Sequence, residues 1–421
     1  MTDKISSLYK RVKSSKDGKT VIANFGYLSL LQIAGYAFPL ITMPYLARVI
    51  GTEGFGKIAF ASAIIAWCQT ISDWGFTFTA TRDIAQHRDD KETVSHMFSN
   101  VLWARLLLTL ISGIVLGILV ATIPYFRENA AIIFVTFLLV PGHVLFPDWF
   151  FQAVEKMKYT TIFNLLLKLI FTISVFFAIK EKDDYIWQPL LTTFGYITCG
   201  IGALFLILKK WGYKLYRPNI NDVMASLKGS TDVFLNNLMP NLYNSFSVML
   251  LGFFGGSATN GIYDGGNKFP TIFYNLQSGL SRAFFPFLSR RTEKHKLYGK
   301  LNIGIALVGS ILMIALAPFV VHIMLGEEFE GSIIIMQILA LSLISLAISN
   351  TYGTNYLIIH HQEKPLRKAT SIASVIGMTI AIPLVYYFKA MGAASVILFC
   401  RTLLATSSYA LARKHMKRQA N

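Results

Sequence analysis

Six polar side chains, Asp264, Lys268, Thr271, Asn275, Ser278 and Arg282, follow one another at steps of four, three, four, three and four. That spacing places all six on one face of an α-helix. At 1.5 Å per residue the stripe runs about 27 Å, close to the depth of a bilayer's hydrocarbon core. Apolar residues such as Phe269, Ile272, Phe273, Leu276 and Leu280 occupy the other faces. A carboxylate, an ammonium, a guanidinium and an amide in one line can hold an anion and hydrogen-bond hydroxyl groups along a hydrated path. The competing reading is a buried helix in which Asp264 pairs with Lys268 and Arg282 snorkels to the interface. Ionisable groups inside a membrane usually face a bundle interior or water, which favours the path.

Other candidates are scattered through the apolar runs. Asp73 faces the same path or acts as a structural cap beside Trp74-Gly75. Lys168, Arg401 and Arg105 suit either attraction of a phosphate or an interhelical ion pair. Asn241, with Asn236, Asn237 and Asn244 around Pro240, suits sugar hydroxyls or helix–helix contacts. His143 follows Pro141-Gly142 and precedes Asp148 by five residues, which fits a proton relay or a satisfied kink. The three cysteines, Cys68, Cys199 and Cys400, are too far apart for a zinc site or a disulfide framework. No GxxxxGK[ST], HExxH or GxSxG motif occurs. The chain therefore reads as a non-enzyme without cofactor or metal.

The elements that position these residues follow from composition. Of 421 residues 54% are apolar and only 14% charged, against roughly 25% charged in soluble domains. Such a chain belongs in a bilayer. Twelve apolar runs are long enough to span one, at roughly 22–47, 57–80, 97–123, 130–153, 159–179, 186–208, 230–255, 260–289, 299–324, 332–358, 367–388 and 391–412. With the N-terminus in the cytoplasm, inner segments carry 28 Lys and Arg against 6 in outer ones. The positive-inside rule then places both termini inside, and topology accounts for most of the +17 net charge without nucleic acid. The first 20 residues are polar and basic and do not resemble a signal peptide. The six tryptophans fall mostly near span ends and read as interface belts.

Two landmarks suggest an internal repeat. Gly56-Lys57-Ile58 opens the second span and Gly261-Ile262 the eighth, 205 residues later. Glu155-Lys156 closes the fourth and Glu363-Lys364 the tenth, 208 residues later. Six spans per half imply a parallel repeat about an axis along the membrane normal. The expected division is a basic N-terminus (1–21), a six-helix bundle (22–208), a cytoplasmic linker (209–229), a second bundle (230–412) and a basic tail (413–421). The repeat also sets Asp73 against Ser278 and Thr77 against Arg282.

Several segments resemble a known family. They are Pro44-Tyr45-Leu46-Ala47-Arg48, Ser72-Asp73-Trp74-Gly75-Phe76, Pro147-Asp148-Trp149-Phe150-Phe151-Gln152 and Phe285-Pro286-Phe287-Leu288-Ser289-Arg290. Together they resemble the Wzx-type O-antigen flippases of the multidrug/oligosaccharidyl-lipid/polysaccharide exporter superfamily. The resemblance implies an all-α membrane protein whose twelve transmembrane helices form two six-helix bundles around a V-shaped central cavity. It implies transfer of undecaprenyl-pyrophosphate-linked oligosaccharide from the cytoplasmic to the periplasmic leaflet of a bacterial inner membrane. Membrane lipids, an O-antigen polymerase and a chain-length regulator are the further partners it implies. Two alternatives stay open. One is a cation-coupled multidrug antiporter of the same superfamily. The other is a membrane glycosyltransferase or polymerase, against which the short outer loops speak.

Overall fold

The computed structural model describes residues 16–420, so the basic residues Lys4, Lys10, Arg11 and Lys13 lie outside the described part. Regular structure among the described residues is entirely helical. Eight helices among them are long and apolar enough to cross a membrane. Two of the eight are double: Lys16–Asp73 is broken at Gly51 (φ 62°) and Glu363–Ala420 at Lys389 (φ 50°). The more polar stretch 220–290 adds two further segments, separated at Gly256 (φ 76°).

Twelve segments result, in the places the apolar runs predict. They are α1 (16–50), α2 (52–86), α3 (Lys91–Thr122), α4 (130–153), α5 (Met157–Ala178) and α6 (Trp187–Phe205). Then follow α7 (220–255), α8 (257–290), α9 (His295–Met324), α10 (332–358), α11 (363–388) and α12 (390–420). Gly51 and Gly256, 205 residues apart, carry the same left-handed break. Only a residue without Cβ takes that backbone freely, so the repeat recurs in the geometry. Exposed apolar bands run along α3 (Leu107, Leu110, Ile114, Ile118) and α9 (Leu301, Val308, Leu312, Phe319). Water would not tolerate patches of that extent, and lipid does.

The helices form two compact units. The first takes described residues up to 42, 68–180 and 186–235. Its core holds Phe98, Trp149, Phe150 and Phe151, all almost fully buried. Trp149 is therefore a core residue and not an interface anchor. Trp74 and Trp103 also depart from the belt reading. Their indole N–H groups donate to the carbonyls of Leu227 (3.0 Å) and Tyr216 (2.9 Å). The segment after α6 is tied down further, since the amides of Lys214 and Tyr216 donate to the hydroxyls of Ser95 and Ser99. Residues 209–219 are thus fastened along α3, and a helix has begun by residue 220.

The second unit takes 43–67, 181–185 and the described residues from 236 onward. At its centre α2 and α8 cross with almost no side chain between them. A Cβ on Gly56 would collide with the Ser257 carbonyl, and a Cβ on Gly261 with the Thr52 carbonyl. The contact is reciprocal: Gly56 and Gly261 are 205 residues apart, as are Thr52 and Ser257. Such self-complementarity is the mark of a two-fold contact. Small residues let the backbones meet, as in other membrane helix pairs.

Candidate functional site

One face of α8 is pressed against its neighbours. A Cβ at Gly265 would stand 2.8 Å from Phe329, and one at Gly266 would stand 2.7 Å from the Ser332 carbonyl. The Ser332 hydroxyl donates to the carbonyl of Ile262 at 2.6 Å and pins α10 there. The polar stripe is thereby turned away from the packed side and lines a cavity of about 570 Å³ inside the second unit. Asp264, Lys268, Thr271 and Asn275 line it, joined by Arg401 from α12. The Asp264 carboxylate and the Lys268 ammonium are 2.7 Å apart, one helical turn along α8. Arg401 Nη1 donates to Ser342 Oγ at 2.8 Å, and its guanidinium lies 5.0 Å over the ring of Tyr274.

Several lining residues were not anticipated. Tyr274 lies on the edge of the stripe beside Asn275, so its place was available from the helical wheel. Asn350 opens a π-helical stretch, Asn350–Ile358, whose register no periodicity predicts. Tyr263 is 1% exposed, and its hydroxyl has no hydrogen-bond partner. The Asn350 side-chain nitrogen is likewise buried without an acceptor. Both residues line the cavity.

A second cavity, of about 190 Å³, lies within the first unit. Asp73, Thr77, Arg105, His143 and Asp148 line it. Pro141 and Pro147 interrupt α4, which breaks into 130–137, 139–145 and 148–153. The break presents Asp148 to the cavity, where it is exposed despite its place inside a span. Arg105 Nη2 lies 3.7 Å from Asp73 Oδ1, so Arg105 makes an interhelical ion pair. The Thr77 hydroxyl donates to the same Asp73 oxygen at 2.6 Å. Arg105 is only 6% exposed, and its Nε and Nη1 have no hydrogen-bond partner. His143 packs against Tyr196 with ring centres 3.9 Å apart.

The remaining candidates join neither cavity. Lys168 is half-buried in α5, with Nζ 4.0 Å from where a Cβ on Gly35 of α1 would stand. Asn241 lies in the short 3₁₀ turn Met239–Leu242, next to residues that line the larger cavity. Ser278 and Arg282 continue the α8 stripe beyond the lining residues, Ser278 partly buried and Arg282 exposed.

Residues 21–292 match the family model described as polysaccharide biosynthesis protein. The chain belongs to that family. Two relatives carry the name "Putative O-antigen transporter". The one from Escherichia coli (strain K12) is 26% identical over 391 residues, covering 91% of this chain and 94% of the relative. The one from Shigella dysenteriae is 28% identical over 389 residues, covering 90% and 97%. Among solved structures, lipid II flippase MurJ in an inward closed conformation has a TM-score of 0.73 at 12% identity, covering 92% of this chain and 86% of that one. An inward-facing multidrug resistance MATE family transporter of the MOP superfamily has a TM-score of 0.69 at 15% identity, covering 92% and 98%. The resemblance read from the sequence motifs is borne out, and the fold is shared with these two solved structures. The protein is a multi-pass membrane transporter of polysaccharide biosynthesis.

Proposed function

We propose that this chain is a flippase that moves undecaprenyl-pyrophosphate-linked O-antigen repeat units across the inner membrane, from the cytoplasmic to the periplasmic leaflet, by alternating access. Both termini lie in the cytoplasm, and the delivered lipid passes to a polymerase and its chain-length regulator. The observation that carries the reading is the large cavity within the second unit of a chain similar over nine-tenths of its length to proteins named as O-antigen transporters. A polar glycan costs several kcal/mol per unpaired hydroxyl in hydrocarbon, on the order given by transfer to an apolar phase. Amides, tyrosines and charged groups in one hydrated cavity remove that cost. The lipid tail stays in the bilayer.

The cavity's charge argues against an antiporter of organic cations. Lys268 and Arg401 line it against the single carboxylate of Asp264. Leaflet-resolved labelling of the lipid-linked glycan, in proteoliposomes with and without the purified chain, tests the reading. Equal labelling of both samples over time would refute it.

The smaller cavity suits the coupling step. A buried guanidinium needs one carboxylate partner, and Arg105 has Asp73 beside it with Asp148 in the same cavity. The carboxylate that Arg105 leaves can carry a proton, with His143 as the neighbouring acceptor and Tyr196 as its wall. A metal cation would compete with the guanidinium for the same oxygens, so a proton is the better fit. Flipping then quickens under a pH gradient, and Asp148→Asn loses the stimulation. Stimulation by a sodium gradient alone would count against the proton.

A further inference from the structure

The cavity of the second unit has binding capacity that its own side chains do not use. Lys268 is neutralised by Asp264 at 2.7 Å. Arg401 has no carboxylate within 4.0 Å among the described residues, and only Ser342 Oγ and the Tyr274 face compensate it. An under-compensated cation at mid-span is costly, and its presence points to an anion that completes it. Two donors in the same lining, the Tyr263 hydroxyl and the Asn350 amide nitrogen, are buried without acceptors. A buried donor left unpaired costs about 1–3 kcal/mol, so the cavity wall carries unmet hydrogen-bonding capacity. The volume of about 570 Å³ is inside the range of roughly 300–1,000 Å³ usual for small-ligand sites.

We propose that this cavity holds the sugar part of the cargo and selects an acidic sugar, with Arg401 holding the carboxylate of a hexuronate. The inference rests on the flippase reading and adds the substrate's chemical class.

Three features favour a sugar carboxylate over the diphosphate of the lipid. A carboxylate is planar and carries one charge, matching the single under-compensated cation, whereas a diphosphate diester carries two. Only Nη1 of the guanidinium is engaged, by Ser342 Oγ, so Nε and Nη2 remain available as a planar fork. The rings of Tyr243 and Tyr274 line the same cavity and suit the apolar C–H faces of pyranose rings.

The test measures binding of soluble probes to the purified full-length protein by saturation-transfer NMR. The probes are a glucuronate-containing disaccharide, its carboxyl-reduced counterpart and inorganic pyrophosphate. The acidic disaccharide should bind roughly 10- to 100-fold more tightly than the reduced one, as expected for a charge-assisted hydrogen bond. Arg401→Gln should bring the ratio close to one by weakening the acidic disaccharide far more than the neutral one. Arg401→Lys should restore part of the preference. Tyr274→Leu should weaken both sugars alike.

Equal binding of the two disaccharides to wild-type protein overturns the proposal. So does an unchanged ratio in Arg401→Gln, failure of any sugar to bind, or displacement of the uronate by pyrophosphate at lower concentration. The last result would assign Arg401 to the lipid's diphosphate. Binding in detergent does not depend on flipping. A preference without leaflet transfer would therefore sink the flippase reading alone, and transfer without preference would sink this inference alone.

Discussion

Replacing Gly56 with alanine puts a methyl group into the backbone of α8. The new Cβ would meet the Ser257 carbonyl and stand 2.8 Å from the Gly261 nitrogen. At Gly261 the mirror event occurs, with the Thr52 carbonyl in the way and the Gly56 nitrogen 3.1 Å off. Comfortable contact is about 3.5–4.0 Å. Backbone atoms cannot rotate away as a side chain can, so the helices must part by roughly 1.5–2 Å to restore that distance, and every contact near the crossing loosens. Overpacking costs about 1–3 kcal/mol, and a clash with backbone belongs at the upper end, about 3 kcal/mol for either substitution. Because the two glycines share one crossing, the second methyl enters a gap the first has opened. The double variant should therefore lose about 3–4 kcal/mol rather than about 6, a coupling that neighbours in contact can show. Reversible unfolding in mixed detergent micelles measures all three variants. Gly117→Ala serves as control, because nothing lies within 4 Å of its Cβ position; in a helix interior that change is neutral or stabilising by up to about 1 kcal/mol. A loss below about 0.5 kcal/mol in both single variants, or full additivity in the double, would refute the crossing.

Arg282→Ala should strongly reduce flipping and Arg282→Lys should keep part of it, read as surface O-antigen normalised to protein level. Full activity in the alanine variant removes Arg282 from the transport path. Lys268→Ala should be milder, since Asp264 already neutralises that charge. Asp183 and Asn221 are both exposed; cysteines there should label from outside and from inside respectively, and the reverse pattern would invert the topology. Purified protein should flip lipid without hydrolysing ATP, and hydrolysis in step with transfer would contradict a gradient-driven cycle.

Much of the architecture was legible because membrane helices obey local rules. Twenty apolar residues make a span wherever they occur, so the twelve segments and their order needed no tertiary information. The α8 stripe was legible for the same reason. A helix fixes the angle between residues three and four apart, and Asp264 does meet Lys268. The repeat too was visible, because the Gly56 and Gly261 strings mark one crossing from its two sides.

Tertiary structure decided which side chains from different helices share a space. Asp73, Arg105, His143 and Asp148 come from three helices, and no periodicity relates one helix's rotation to another's. Their meeting depends on the break of α4 at its prolines. Arg401 looked like any other intramembrane cation until Ser342 and Tyr274 were found around it. Asn350 reaches the larger cavity through a π-helical register that sequence spacing does not encode. Conversely, Ser278 and Arg282 lie on the predicted face but outside the cavity lining. The length of a helical stripe follows from sequence alone, whereas the length of a cavity is set by the neighbours that close it.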